Sequence, residues 1–160
     1  MLLGIVSDTH GHLENTQRAV RMLESLGVEQ VLHCGDIGST EIPPLFAAWP
    51  THFVFGNVDY NEVELRDAIE RAKLTCHGRF GQLELAGRKI ALLHGDDSKL
   101  FRGTAGSGSH DLVCYGHTHV ARQQRVGPTI VLNPGALYRA NPHSIAVVDL
   151  ATMEASFIRV

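Results

Sequence analysis

Seven residues with side chains of metal-ligating type stand just beyond apolar runs of this sequence. Asp8 and His10 end the stretch IVSDTH. Asp36 ends HCGD, Asn57 sits in FGNVD, His94 in LLHG, and His117 and His119 in YGHTH. Residues two apart in an extended segment face the same side. Asp8 with His10, and His117 with His119, are therefore each placed to share one partner. Glycine stands beside most of these groups, at Gly11, Gly35, Gly56, Gly95 and Gly116. A backbone without Cβ can turn sharply there and approach a site closely.

Singly, each residue has an ordinary explanation. Asp8 could cap the following helix, Asp36 and Asn57 could be turn residues, and His94 could be a hydrogen-bonded loop residue. Those explanations are independent of one another, whereas one metal centre accounts for them all. Two Asp, one Asn and four His make seven nitrogen and oxygen donors. A structural zinc site takes about four, usually with cysteine. The larger set suits two ions sharing one carboxylate, with positions left for water and substrate. Two-metal sites, with ions roughly 3.5–4 Å apart, serve in-line displacement at phosphorus. The donor types favour two divalent transition metal ions, Mn²⁺ as first choice, with Fe²⁺, Zn²⁺, Ni²⁺ and Co²⁺ as alternatives.

These donors need elements that bring them together. Residues 2–6 read as a buried strand. A helix follows, with Leu13, Thr16, Val20, Leu23 and Leu26 on one face, a Glu14–Arg18 pair on the other and Gly27 as its stop. A second strand is expected over 30–34. Ser39 or Thr40 is expected to cap a short helix over 42–49, with Pro43 and Pro44 in its first turn. A third strand follows over 52–55. The order β-α-β-α-β implies parallel strands and right-handed crossovers, with function at the strands' carboxyl ends. Residues 61–72 read as a helix, and 82–97 as a hairpin turning at Ala86 and Gly87. A helix starts near Ser98, and GTAGSGSH (103–110) reads as a flexible loop. It lacks the Lys-Ser/Thr of a phosphate-cradling loop. Strands are expected over 112–115, 122–126, 129–132, 144–149 and 153–160, with a turn at NPGA. The expected fold is α/β, a four-layer αββα sandwich of two mixed β-sheets flanked by helices, forming one domain over 1–160.

Composition narrows the class. Of 160 residues, 44% are hydrophobic and 19% charged, enough apolar surface for a packed core. The formal net charge is −3, so the basic excess of a nucleic-acid binder is missing. Cys34, Cys76 and Cys114 form no CxxC pair, which argues against a zinc ribbon or a disulfide framework and for a reducing compartment. MLLGIV is too short for a signal peptide, and no apolar run reaches membrane-spanning length. The expectation is a cytoplasmic protein without membrane contact, its oligomeric state open and a homo-oligomer admissible. His33, His52, His77, His110 and His143 lie outside the motifs and read as structural or solvated, and Cys34 and Cys114 as core.

The ordered set D-x-H, GD, GN-x-D, HG and GH-x-H, running from Ser7 to about Ala136, resembles the calcineurin-like metallophosphoesterase superfamily. It looks most like that superfamily's small bacterial and archaeal phosphodiesterases. The resemblance implies Asp8, His10 and His119 on a first ion, Asn57, His94 and His117 on a second, and Asp36 bridging both. It places Asn57 and His94 near the substrate as well, and implies hydrolysis of small phosphate esters, diesters above all. One position departs from it. Many members carry a histidine after GN that protonates the leaving group, and here Val58 has no proton to give. The small phosphodiesterase branch tends to lack that histidine too. His12 is a substitute candidate, weighed against a plain loop role, and Asp59 reads as orienting its neighbours. A rival from another class is a protein-binding scaffold, since the retromer complex contains a subunit of this fold whose metal positions are altered. Intact donors favour an enzyme. Nucleases of the superfamily are larger and usually carry the missing histidine.

Overall fold

Alternation along the strands sorts the apolar side chains into layers. In β1 (Leu2–Val6), Leu3 and Ile5 join one buried cluster while Val6 joins another. In β6 (Arg88–Leu93), Ile90 and Leu92 face one way and Ala91 and Leu93 the other. A computed structural model describing residues 1–160 shows where these faces go. A six-stranded sheet has the order β11-β10-β1-β2-β3-β4, with β2 (Gln30–His33), β3 (Thr51–Phe53), β4 (Thr75–Cys76), β10 (Ser144–Asp149) and β11 (Glu154–Arg159). A five-stranded sheet has the order β5-β6-β7-β9-β8, with β5 (Phe80–Leu85), β7 (Leu112–Cys114), β8 (Arg122–Val126) and β9 (Thr129–Asn133). In the six-stranded sheet the pairs from β1 to β4 are parallel and those of β10 with β1 and β11 antiparallel; in the five-stranded sheet parallel pairs form the middle and antiparallel pairs both edges, so both sheets are mixed.

Three buried clusters fill the three interfaces of the αββα sandwich. The 14 residues between the sheets include Leu3, Ile5, Leu32, Leu92, Leu112 and Leu132. A cluster of 16 lies under α1 (Leu13–Ser25) and α2 (Glu62–Arg71), with Leu23, Phe53 and Ile69 among them. Six residues lie under α3 (Ser98–Gly106), where Phe101 packs on Tyr115 at 4.6 Å between ring centroids.

Local chemistry changes several expected boundaries. Over 42–49 the chain makes only a 3₁₀ turn at Pro43–Phe46, and neither Ser39 nor Thr40 caps it. Two consecutive prolines remove two backbone donors. Ser39 instead accepts from Glu41 N–H at 3.2 Å. The glycine-rich stretch is mostly helix, because α3 runs through Gly103 to Gly106. Asp97 caps it by accepting from the N–H groups of Lys99 and Leu100, both at 3.0 Å, and Thr104 and Ala105 are buried beneath it. Cap and burial together outweigh the roughly 1 kcal/mol that each glycine costs relative to alanine. Strand β4, two residues long, is too short to show a period.

Both sheets deliver their strand ends to one edge. The loop after β2 lies against the loop after β1 through Asp8 N–H to Gly35 O (3.0 Å) and His10 N–H to Asp36 O (2.9 Å). The loop after β7 crosses between the sheets, where His117 N–H donates to Asp8 Oδ2 at 3.1 Å.

Candidate metal centre

Five of the seven candidate residues share an unusual backbone. Asp8 (φ 54°), His10 (45°), Asp36 (53°), His117 (67°) and His119 (58°) are all left-handed. Asp, Asn and His tolerate that region better than other residues, yet each such residue carries a cost of roughly 1–3 kcal/mol. The turns swing the side chains off the strand ends and into one shared space. Two glycines allow the loops to close over it. A Cβ at Gly56 would collide with Asp36 Oδ1, and one at Gly116 with Ser7 Oγ.

The two carboxylates are built alike. Asp8 Oδ2 accepts from His117 N–H, and Asp36 Oδ1 accepts from Val58 N–H at 3.1 Å. Each therefore has one oxygen fixed by a backbone amide and one turned to the imidazoles. Asp8 Oδ1 lies 3.2 Å from His119 Nε2 and 3.9 Å from His10 Nε2. Asp36 Oδ2 lies 3.4 Å from His10 Nε2 and 3.3 Å from His94 Nε2. Asn57 Oδ1 stands 3.0 Å from both His94 Nε2 and His117 Nδ1. All seven residues thus meet, in two overlapping groups joined through Asp36.

Hydrogen bonding of the rings tests whether a cation fits. His94 Nδ1 lies 2.8 Å from the Cys34 carbonyl, which can only accept, so Nδ1 carries a hydrogen. The neutral ring then points the lone pair of Nε2 at Asp36 Oδ2 and Asn57 Oδ1. Three acceptors face one another, and a positive charge between them, proton or metal, relieves the repulsion. His119 Nδ1 likewise faces the Arg139 carbonyl at 3.4 Å, leaving Nε2 for Asp8. Asp8 Oδ1 and His10 Nε2 are buried with no hydrogen-bond partner. Asp8, His10 and His119 offer donor atoms within 4.8 Å of one another, as do Asp8, Asp36 and His94. Residues of these types, oriented by carbonyls behind them, fit a metal site.

Charges in the metal-free chain are mutually constrained. Burial pushes the Asp8 carboxyl up, and the Asp36 charge adds to the rise. Burial also opposes ionisation of Asp36, but the His94 ring prevails and holds its carboxyl below the usual value. For His94 the order reverses: burial pulls it down, and the Asp36 carboxylate raises it above the ordinary histidine range. His10 is held low by burial, against the pull of Asp36 and Asp8.

Other residues hold the centre in place. Asp59, 1% exposed, accepts from Ile37, Gly38 and Gly56 N–H at 3.1, 2.9 and 2.8 Å. It joins the loops after β2 and β3, the orienting role read from the sequence, and burial raises its pKa. His33 is structural. Its Nδ1 accepts from Gly35 N–H (3.3 Å), so Nε2 donates to Thr9 Oγ1 (3.0 Å), whose hydroxyl donates to Ile37 O (3.0 Å). Asn133 was hidden within an apparent turn motif. Its Nδ2 donates to Gly116 O (2.6 Å) and Thr118 Oγ1 (3.1 Å), fixing the GHTH loop. A polar residue closing the apolar run TIVLN is the sequence signal that marks it. His12 caps α1, with Nδ1 accepting from Asn15 N–H at 3.3 Å. His52 and His77 pair with each other at 2.9 Å, outside the centre.

Comparison with known proteins converges on one family. The calcineurin-like phosphoesterase superfamily domain matches residues 1–153. A phosphodiesterase of Methanocaldococcus jannaschii is 30% identical over 159 residues, covering 96% of each chain. The solved structure of an archaeal phosphodiesterase superposes with a TM-score of 0.92 at 29% identity, covering 100% of both chains. Vacuolar protein sorting 29 from Cryptosporidium parvum gives 0.68 at 18% identity, covering 99% of this chain and 96% of that one, a likeness of fold alone. No helix is long and apolar enough to cross a membrane.

Proposed function

This chain belongs to the calcineurin-like phosphoesterase superfamily, and on that premise we propose that it hydrolyses phosphodiesters at a dinuclear centre, with Mn²⁺ as the preferred metal. The observation that carries the reading is the placement of Asp36 Oδ2, 3.4 Å from His10 Nε2 and 3.3 Å from His94 Nε2. One oxygen faces both groups of donors, which is what a bridge requires. Asp8, His10 and His119 would hold one ion, and Asn57, His94 and His117 the other. When bound, the ions supply Lewis acidity to the phosphoryl oxygens and make water acidic enough to attack near neutral pH.

The chain's own groups do the rest. Asn57 turns Oδ1 towards the two rings, which leaves its amide Nδ2–H₂ as a donor for a phosphoryl oxygen. Backbone amides of His117 and Val58 each fix one carboxylate oxygen and so aim the other at the imidazoles. Cys34 and Arg139 carbonyls fix which imidazole nitrogens present lone pairs, so the donors need no rearrangement before reaction. Val58 offers no proton to a departing oxygen, and the Nδ1 of His12 is occupied as a helix cap.

Metal analysis and hydrolysis of bis(p-nitrophenyl) phosphate test this together. Mn²⁺-reconstituted protein should contain close to two equivalents and hydrolyse the diester. Asp36→Asn should weaken both positions and abolish turnover. One equivalent in the unmutated chain would refute the dinuclear reading. The scaffold alternative is the weaker reading, because all seven donors are present and converge.

A further inference from the structure

Two cavities flank the centre, and their charges are opposite. The first, about 370 Å³, lies between the loops after β2 and β3 and is lined by Ser39, Thr40, Val58, Tyr60, Asn61 and Glu64 among others. It opens beside Asp36, whose Oδ1 is held by Val58 N–H. Its charged residues are Asp59 and Glu64, with no Lys or Arg. Asp59 is occupied by three backbone donors, so Glu64 supplies the free negative charge. Tyr60, 88% exposed, offers a ring face beside it. The second cavity, about 400 Å³, is lined by His119, Val120, Phe157 and Arg159 among others, with no carboxylate. Val120 and Phe157 are 60% and 41% exposed. In the order β11-β10-β1-β2-β3, the second cavity sits at the β11 side and the first at the β3 side. Asp8, at the end of β1, lies between them.

We propose that the two cavities sort the two ester arms of an unsymmetrical phosphodiester, an ammonium-bearing or polyhydroxylated arm against Glu64 and an apolar or anionic arm against Arg159. This rests on the diesterase reading above. A phosphodiester has one arm on each side of its phosphorus, and the cavities lie on either side of the metal donors. Hydroxyl and amide groups of Ser39, Thr40 and Asn61 suit a hydrogen-bonding arm. An aromatic face beside a carboxylate suits an ammonium group. Val120 and Phe157 give the other arm apolar contact, and Arg159 attracts a negative charge. Both charges are at the surface, so the effect is moderate. At about 6 Å in water a unit charge is worth roughly threefold in affinity, and exchanging a cation for an anion about tenfold.

The test uses three diaryl phosphodiesters differing only in ring substituents: two trimethylammonium groups, two sulfonates, or one of each. Values of kcat/KM are measured with Mn²⁺-loaded enzyme, and affinities of the matching non-hydrolysable phosphonates by calorimetry. Sorting predicts that the mixed compound exceeds both like-charged ones by about tenfold. Glu64→Gln should erase its lead over the bis-sulfonate, a change of about tenfold, and Arg159→Gln should reduce its lead over the bis-ammonium compound by as much. Both positions are exposed, so the variants retain the fold. A monotonic order with substrate charge, as the overall net charge of −3 alone would produce, overturns the proposal. Phosphonates bound in the sorted order without any diester hydrolysis would uphold the sorting and refute the diesterase. Hydrolysis in monotonic order would do the reverse.

Discussion

Replacing Asp59 with asparagine measures what its carboxylate contributes to the centre. Three backbone donors meet two oxygens: Oδ2 takes Ile37 and Gly56 N–H, and Oδ1 takes Gly38 N–H. Asparagine has one oxygen and one NH₂. Its best orientation serves Ile37 and Gly56 and sets an NH₂ against Gly38 N–H. A buried donor left without an acceptor costs roughly 1–3 kcal/mol. An opposing effect exists, because burial raises the Asp59 pKa and asparagine escapes the cost of a buried charge. With the residue 1% exposed, water has little access to replace the lost acceptor, so donor loss should prevail. We expect a net loss of about 1–2 kcal/mol, which for a chain of this size lowers the unfolding midpoint by about 2–8 °C. Thermal unfolding of chelator-treated protein, followed by circular dichroism, isolates this from metal binding. An unchanged or raised midpoint in Asp59→Asn would mean that the carboxyl is already neutral in the fold, and the reasoning would fail.

Other outcomes follow from the same geometry. Gly56→Ala drives a methyl group into Asp36 Oδ1 and should release metal on dialysis under conditions where the unmutated chain keeps it; equal retention would show that the loop yields freely. His33, buried and held down at about 3, stays neutral in the fold while the unfolded chain protonates it below about 6.5. Its stabilising contribution is complete above that pH and is lost as pH falls towards 3, by about 1.4 kcal/mol per pH unit. Urea titrations of metal-free protein at pH 7 and 5 should show a smaller difference for His33→Gln than for the unmutated chain. For Val58→His, the dependence of rate on leaving-group pKa should flatten across aryl and alkyl phosphodiesters, since a general acid contributes roughly 10²–10⁴-fold. An unchanged slope at equal metal content would mean position 58 does not face the leaving oxygen.

The candidate centre is legible in the sequence because its residues are of types that rarely end apolar strands together, and the parallel β-α-β order dictates where those ends lie. His94 and Asp36 gain their meaning from that order. What stays hidden depends on contacts made by distant segments. The continuation of α3 through Gly103 and Gly106 rests on Asp97 and on the packing of Phe101 against Tyr115, neither visible in local propensity. Pro43 and Pro44 are compatible with either a helix start or a 3₁₀ turn. Asn133 looks like a turn residue until the GHTH loop folds onto its amide. His33 closes β2 and His10 lies four residues beyond the end of β1, a difference that residue type does not reveal. Their partners, Thr9 for one and two carboxylates for the other, give them different roles.

The hydrogen bond from His117 N–H to Asp8 Oδ2 joins residues 109 apart in the chain. During synthesis, at about 5–20 residues per second, Asp8 precedes His117 by about 5–20 s. For most of that interval Asp8, His10 and Asp36 are already made, while His117 and His119 are not. A growing chain therefore holds only part of either donor group and is a poor competitor for ions in the cell. On the proposed assignment, loading waits for the finished fold, and metal supply acts on mature molecules. Newly made protein starved of metal would accumulate as a folded, inactive pool that later supply converts without further synthesis.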